Sequence, residues 1–331
     1  MADVQKYFEQ FHETIRTDYD SDQKLREKRD IVLDKITKNL RDADRPSFDV
    51  LHKGSYSKDA RTGVKMIEDL RYDIDIGLRF AIKETEYTAK EVRGWVWEAV
   101  GDHTGDVQEK GPCIRVIYAE GFHLDLVSYA RWTDDAGQEQ HRLAHKDNGW
   151  RPTDPPGLLK YFRDAREPFG QLTDSATSTD QFRRVVRYLK RWYDEQIPKD
   201  SADKPTGLGY TLLCRDRLVP TSTWDGDSDD RKALRNLASS AESQLGRISA
   251  YKPTPEFEDL FGRLSESAMD KLKSRFGDMR SALEDADAEA DPVKACKRLK
   301  EVFGRDFPVP KPPDTAKKTS APAIVTSSYS A

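Results

Sequence analysis

The chain of 331 residues is long enough for one large or two ordinary domains with a sizeable core. Its 55 Lys and Arg against 59 Asp and Glu leave a net charge of −4, and with a mean hydropathy of −0.82 it lacks the overall basicity of a typical nucleic-acid binder. Three scattered cysteines, Cys113, Cys214 and Cys296, exclude a disulfide framework and a zinc module; with no apolar run of membrane-spanning length and no signal-peptide core, a cytoplasmic protein without membrane contact is expected.

From Asp3 to about Asp42, strong helix formers carry apolar residues at helical spacing: Phe8, Phe11 and Ile15, then Ile31, Val32, Ile36 and Leu40. Asp18-Tyr-Asp-Ser-Asp22 interrupts the pattern, because Asp and Ser favour caps over helix interiors, so a short helix and then a longer one are expected. Arg45-Pro46-Ser47 ends the second helix, and Phe48-Asp-Val-Leu51 reads as a short strand leading into a turn at Gly54-Ser55. Gly54 lets the backbone approach a phosphate, and Ser55 offers a hydroxyl and an amide to hold one.

In Tyr72-Asp73-Ile74-Asp75-Ile76 carboxylates alternate with apolar residues, which is strand periodicity and puts Asp73 and Asp75 on one face. Two such carboxylates repel unless a cation sits between them, and Mg²⁺ suits the pair because it takes oxygen ligands and keeps positions for water and phosphates. A helix with Val92, Trp95, Val96 and Val100 as core positions follows. Then Cys113-Ile-Arg-Val-Ile-Tyr-Ala119 and Phe122-His-Leu-Asp-Leu-Val127 flank Glu120-Gly121 as a hairpin, whose second strand brings Asp125 to the face of Asp73 and Asp75. Three carboxylates on adjacent strands would hold two metals about 3.5–4 Å apart, the arrangement that activates an attacking oxygen and stabilises the leaving one in phosphoryl transfer. A lone Gly-Ser is usually a turn and a lone Asp-x-Asp usually surface; their combination carries the reading.

Residues 131–157 read as loop-rich, with Asn148-Gly149 and Pro152-Thr-Asp-Pro-Pro156 as breakers. A helix over about 156–169 has Leu158, Leu159 and Phe162 apolar, and one over 177–196 has Val185, Val186, Leu189 and Trp192 as its buried stripe. On the second, Arg183, Arg184, Arg187, Lys190 and Arg191 read as a basic, ordinarily solvated face. Lys204-Pro-Thr-Gly-Leu-Gly begins another helix with Thr206 as a natural N-cap, and 228–303 is mostly helical. Pro308-Val-Pro-Lys-Pro-Pro313 breaks regular structure before a Ser/Thr/Ala-rich tail with little to bury. The expected division is residues 1–157, an N-terminal helix with a catalytic lobe; 158–307, a helical lobe; and 308–331, a disordered tail.

Gly54-Ser55-Tyr56, Thr62, Asp73-Ile74-Asp75 and the later Asp125 resemble the signature of the polymerase-beta-like nucleotidyltransferases. More narrowly, roughly residues 1–310 resemble the bacterial CD-NTases, relatives of cyclic GMP–AMP synthase and oligoadenylate synthase that make cyclic di- or trinucleotide signals in antiphage defence. Thr62 lies further from Ser55 than that family usually has it.

The resemblance implies an α/β (α+β) fold of two lobes with a mixed sheet, a long N-terminal helix and a helical C-terminal lobe. It implies that Asp73, Asp75 and Asp125 are catalytic and hold two Mg²⁺ ions, with Mn²⁺ as a substitute, that Gly54 and Ser55 bind nucleotide, and that ATP and other ribonucleoside triphosphates are substrates. Val186-Arg-Tyr-Leu-Lys-Arg-Trp192 resembles the family's helix whose Lys, here Lys190, meets the triphosphate, and Thr206 stands where a phosphate-contacting serine is common. A regulatory partner, HORMA-like or ubiquitin-transfer-like, engaging the tail around Ile324, Val325 and Tyr329 is implied too, and the acidic net charge disfavours activation by nucleic acid. A linear oligoadenylate-type or RNA-modifying nucleotidyltransferase is the alternative enzyme, and a non-catalytic nucleotide or RNA sensor the alternative of another class; the presence of all three acids argues against the sensor.

Overall fold

The computed structural model describes residues 4–17, 23–52, 57, 61–64, 73–198, 201 and 203–311. The chain opens with α1 (Gln5–Ile15) and α2 (Gln23–Asp42), the short and long helices expected, and passes through β1 (Phe48–His52) to β2 (Asp73–Phe80). Next comes α3 (Ala89–Val100), which starts in a reciprocal cap: the Thr88 hydroxyl accepts the Glu91 N–H, and the Glu91 carboxylate accepts the Thr88 N–H. The hairpin predicted around Glu120-Gly121 is formed by β4 (Ile114–Ile117) and β5 (His123–Thr133), with β3 (Asp106–Glu109) outside β4.

Residues 131–157 depart from the loop reading. Here β5 runs on to Thr133 and is followed by β6 (Glu139–His145) and β7 (Gly149–Pro152) in an antiparallel meander. The β6 sequence, Glu-Gln-His-Arg-Leu-Ala-His, contains no β-branched residue, so its pairing with the long β5 on one side and β7 on the other makes it a strand. At the turn, the Asp134 carboxylate accepts the N–H groups of Ala136 and Gln138, while Gly137 supplies a positive φ of 78°.

The sheet runs in the order β1-β2-β5-β4-β3, with β6 added beside β5 and β7 beside β6. It is mixed, because β2 and β5 are parallel while the other pairs are antiparallel. Strand alternation divides its two faces. Ile74, Ile76, Leu78, Leu124 and Leu126 pack under α2 and α3 with Val32, Ile36, Val92 and Val96. The opposite face carries Asp75, Asp125, Val127 and Tyr129. Gly77 in β2 keeps that face low, since a Cβ there would meet the Tyr129 ring at 3.2 Å and Leu51 at 3.1 Å.

Beyond the sheet stand α4 (Pro155–Arg166), α5 (Gln181–Gln196), α6 (Gly207–Arg217), α7 (Asp230–Glu242), α8 (Glu266–Ala288) and α9 (Pro292–Phe303). They share one core around Val185, Leu189 and Trp192 of α5. The division at residue 157 had kept the first helix with the sheet, but α1 packs in the helical core: Phe8 and Phe11 lie against Tyr188, Phe303 and Phe307.

The arginines of α5 do not form a solvated face. Arg183, Arg184, Arg187 and Arg191 are all buried, each provided with a carboxylate or carbonyl. Arg184 pairs with Asp230 through two bonds, Nε to Oδ2 at 2.7 Å and Nη2 to Oδ1 at 2.8 Å. Asp230 also accepts from Tyr188, Ser228 and Gln181, so this buried acid joins α5, α7 and the loop before α7. Burial alone would raise its carboxyl, but hydrogen bonds from Arg184 and that residue's charge hold it below the ordinary value.

Candidate active site

Asp75 and Asp125 occupy the same register position on the parallel strands β2 and β5, so their side chains leave the sheet side by side on the face turned away from α2 and α3. Asp73 begins β2 opposite His123; its side chain, with Gly54 and Ser55, lies outside the described residues. Arg115, directly across the hairpin from Asp125, donates to both of its oxygens at 2.7 Å each. Neighbouring carboxylates need a counter-cation, and this guanidinium supplies one. Hard, acceptor-only oxygens of this kind fit Mg²⁺, provided Arg115 gives up part of its hold on Asp125. Among the described residues no group of three or more His, Cys, Asp or Glu is arranged as a metal site.

The acids open onto a cavity of about 480 Å³ between the sheet and the helices, within the usual size of small-molecule sites. Cys113, Val127, Tyr129 and Leu143 line it on the sheet side, and Leu158, Leu159 and Phe162 of α4 form an apolar wall. Burial, reinforced by Asp125, pushes the Cys113 thiol up to about 12, so it remains protonated and supplies no thiolate nucleophile.

Lys190 enters from α5. Its ammonium donates to the Thr62 hydroxyl at 2.9 Å and to the Thr62 carbonyl at 3.1 Å. Thr62 is buried and lines the same cavity, so this residue, set apart by its distance from Ser55, is held at the site by the lysine. Gly207 leaves room for the Lys190 stem, since a Cβ there would come within 3.3 Å of it. Thr206 caps α6, its hydroxyl accepting the Gly209 N–H at 3.2 Å; the cavity wall from this helix is Gly207, Leu208 and Thr211.

Sequence reasoning missed Arg115 and Arg187. Arg187 donates to the Gly63 carbonyl at 3.2 Å, to the Arg61 carbonyl and to His12 Nε2, so that residues 61–63 are fastened to α5 and α1. Burial and the adjacent Arg187 charge lower the His12 imidazole to about 2, which keeps the ring neutral and able to accept. Arg115 was within reach of the hairpin register, which sets opposite charges face to face. Arg187 had no local signal.

Burial and then the Arg187 charge lower the Lys190 ammonium to about 8. Its charged fraction in the free protein therefore falls from roughly nine-tenths at pH 7 to one-tenth at pH 9. Affinity for inorganic triphosphate, used as an anionic probe and measured in chelator, is expected to weaken across that interval if Lys190 holds the anion, whereas Lys190→Arg, protonated throughout, should show no such decline. An equal decline in the arginine variant would remove Lys190 as the cause.

Residues 49–129, about a quarter of the chain, match the family model described as cyclic GMP-AMP synthase DncV-like, nucleotidyltransferase domain. Solved bacterial proteins share the fold over nearly the whole chain. Vibrio cholerae DncV, described as a cyclic AMP-GMP synthase and prokaryotic cGAS homolog, superposes with a TM-score of 0.71 at 15% identity, covering 91% of this chain and 96% of DncV. CdnC from E. coli MS115-1, solved with ATP, gives 0.64 at 16% identity over 92% of this chain and 98% of its own. The CD-NTase CdnG of Bradyrhizobium diazoefficiens, in complex with GTP, gives 0.67 at 14% identity over 92% and 95%. DncV has also been solved with the linear intermediate pppA(3′,5′)pG, and CdnC in complex with HORMA-deltaN.

Proposed function

We propose that this chain, which carries a DncV-like nucleotidyltransferase domain on the fold of the bacterial CD-NTases, joins ribonucleoside triphosphates into a cyclic di- or trinucleotide signal. The observation that carries the reading is the pairing of Asp75 with Asp125 at one register position, facing a cavity that Lys190 enters from the helical side. Asp75 and Asp125, with Asp73, are the residues that would hold Mg²⁺, with Mn²⁺ as a substitute. When bound, the metal lowers the pKa of the attacking ribose hydroxyl and offsets the charge that develops on the leaving pyrophosphate.

The remaining work belongs to the chain. Once Arg115 frees an oxygen of Asp125, that oxygen takes the proton of the attacking hydroxyl, and the guanidinium stays beside it as a counter-charge. Lys190 exchanges its contacts to Thr62 for triphosphate oxygens, and Gly54 and Ser55 are the further residues that would bind phosphate. The α4 wall of Leu158, Leu159 and Phe162 excludes water and gives a base an apolar surface to rest on.

Closure to a ring is supported by DncV, a cyclic AMP-GMP synthase caught with a linear intermediate. A role in antiphage signalling belongs to the same reading. A protein partner is supported by the CdnC complex with HORMA-deltaN; the tail expected to meet it, from Asp314 onward, lies outside the described residues. The purified chain, incubated with the four ribonucleoside triphosphates and Mg²⁺, is expected to yield a phosphatase-resistant product with the mass of a cyclic oligonucleotide. A phosphatase-sensitive product would replace the ring with a linear oligomer, and no product from any mixture would count against the enzyme.

A further inference from the structure

The loop between α7 and α8 brings a second set of polar groups to the cavity. Its base is pinned: Tyr251 bridges Asp259, Lys252 N–H donates to the Glu258 carbonyl at 3.0 Å, and the Asp259 carboxylate accepts the N–H groups of Ala250 and Phe261 at 3.0 Å each. The tip, Pro253-Thr-Pro-Glu-Phe257, turns tightly, with Phe257 N–H on the Thr254 carbonyl at 3.0 Å and Phe257 at a φ of 43°. A bulky residue in that region is strained, and such strain gathers where surrounding structure needs one particular geometry. Here the turn presents Thr254 and Glu256 to the same cavity that holds the acids and Lys190.

Both side chains are left incomplete. Thr254 is 3% exposed and its Oγ1 has no hydrogen-bond partner among the described residues; the same holds for the buried Oε2 of Glu256. Buried polar atoms are almost always paired, so two orphans on side chains that line one cavity point to a ligand that supplies the partners once the turn yields to it. A carboxylate only accepts, whereas a hydroxyl also donates.

Resting on the nucleotidyltransferase reading, we propose that Glu256 and Thr254 form the base-reading end of the cavity and select guanine. The guanine edge sets N1–H and the N2 amine side by side, two donors for one carboxylate, with O6 next to them to accept from Thr254. Adenine and cytosine offer one amine beside a ring-nitrogen lone pair that would face the carboxylate, and uracil flanks its single N–H with two carbonyls. An unpaired acceptor set against a carboxylate is strongly disfavoured, which is how a polar site rejects the wrong base.

The test compares GTP, ITP and ATP by calorimetry on the full chain, ITP being the guanine analogue without the N2 amine. GTP is expected to bind roughly ten- to a hundredfold more tightly than ITP or ATP, the range of one hydrogen bond to a charged group. Glu256→Gln, equal in size and on a half-exposed loop, should keep the wild-type melting temperature and bring the GTP-to-ITP ratio close to one. Equal weakening of all three nucleotides by that substitution would mean that Glu256 holds a ribose hydroxyl or acts through charge alone, and would overturn guanine selection while leaving the nucleotidyltransferase reading intact. Wild-type protein that binds the three equally well would also overturn it. Failure to bind any triphosphate would overturn both readings.

Discussion

Asp75→Asn is expected to reduce nucleotidyl transfer on the order of a thousandfold, the scale of removing one preorganised charge from a transition state. Fold and stability should survive. Asp75 stands at the same register position as Asp125 in the sheet face that opens on the cavity, so the substitution removes a carboxylate from beside another. Asp125 keeps its ion pair with Arg115 in the variant, and the sheet face keeps its cavity. Initial rates with saturating triphosphates, together with a thermal melt, separate the outcomes. Turnover near the wild-type rate would eliminate Asp75 as a metal-binding acid; lost turnover with a collapsed melt would make it structural.

The second large effect falls on stability. Asp230→Ala leaves Arg184 buried with its carboxylate gone, and breaking a buried ion pair from one side costs about 3–5 kcal/mol. The loss should be at the upper end, because Tyr188, Ser228 and Gln181 lose their shared acceptor at the same time. Urea denaturation at neutral pH gives the difference directly. A shift below about 1 kcal/mol would show that water reaches the vacated site, so that the pair is less isolated than its burial suggests.

Much of the sheet that carries Asp75 and Asp125 could be read from the sequence because its signals are local. Ile74 and Ile76 alternate with Asp73 and Asp75, Glu120-Gly121 marks a two-residue turn, and together they put Asp125 beside Asp75, as the strand register does. The polar strand β6 escaped because its identity resides in its partner, β5. The arginines of α5 misled for a similar reason: a stretch such as Arg183-Arg184 looks solvated until Asp180 and Asp230 are seen to receive it. Glu256 and Thr254 lie more than a hundred residues from Asp125, and nothing near them in the chain indicates that they share its cavity.

The packing of α1 also bears on how the protein is made. Phe303 and Phe307, the rings that Phe8 packs against, leave the ribosome almost three hundred residues after it. At about 5–20 residues per second that is a delay of roughly fifteen seconds to a minute, during which an amphipathic helix has no core to enter. The sheet, α2 and α3 contain their own apolar cluster and can condense during the wait. The anchor that ties residues 61–63 to His12 and Arg187 must wait for the helical core, so a nascent chain can own a folded sheet well before it owns a working cleft.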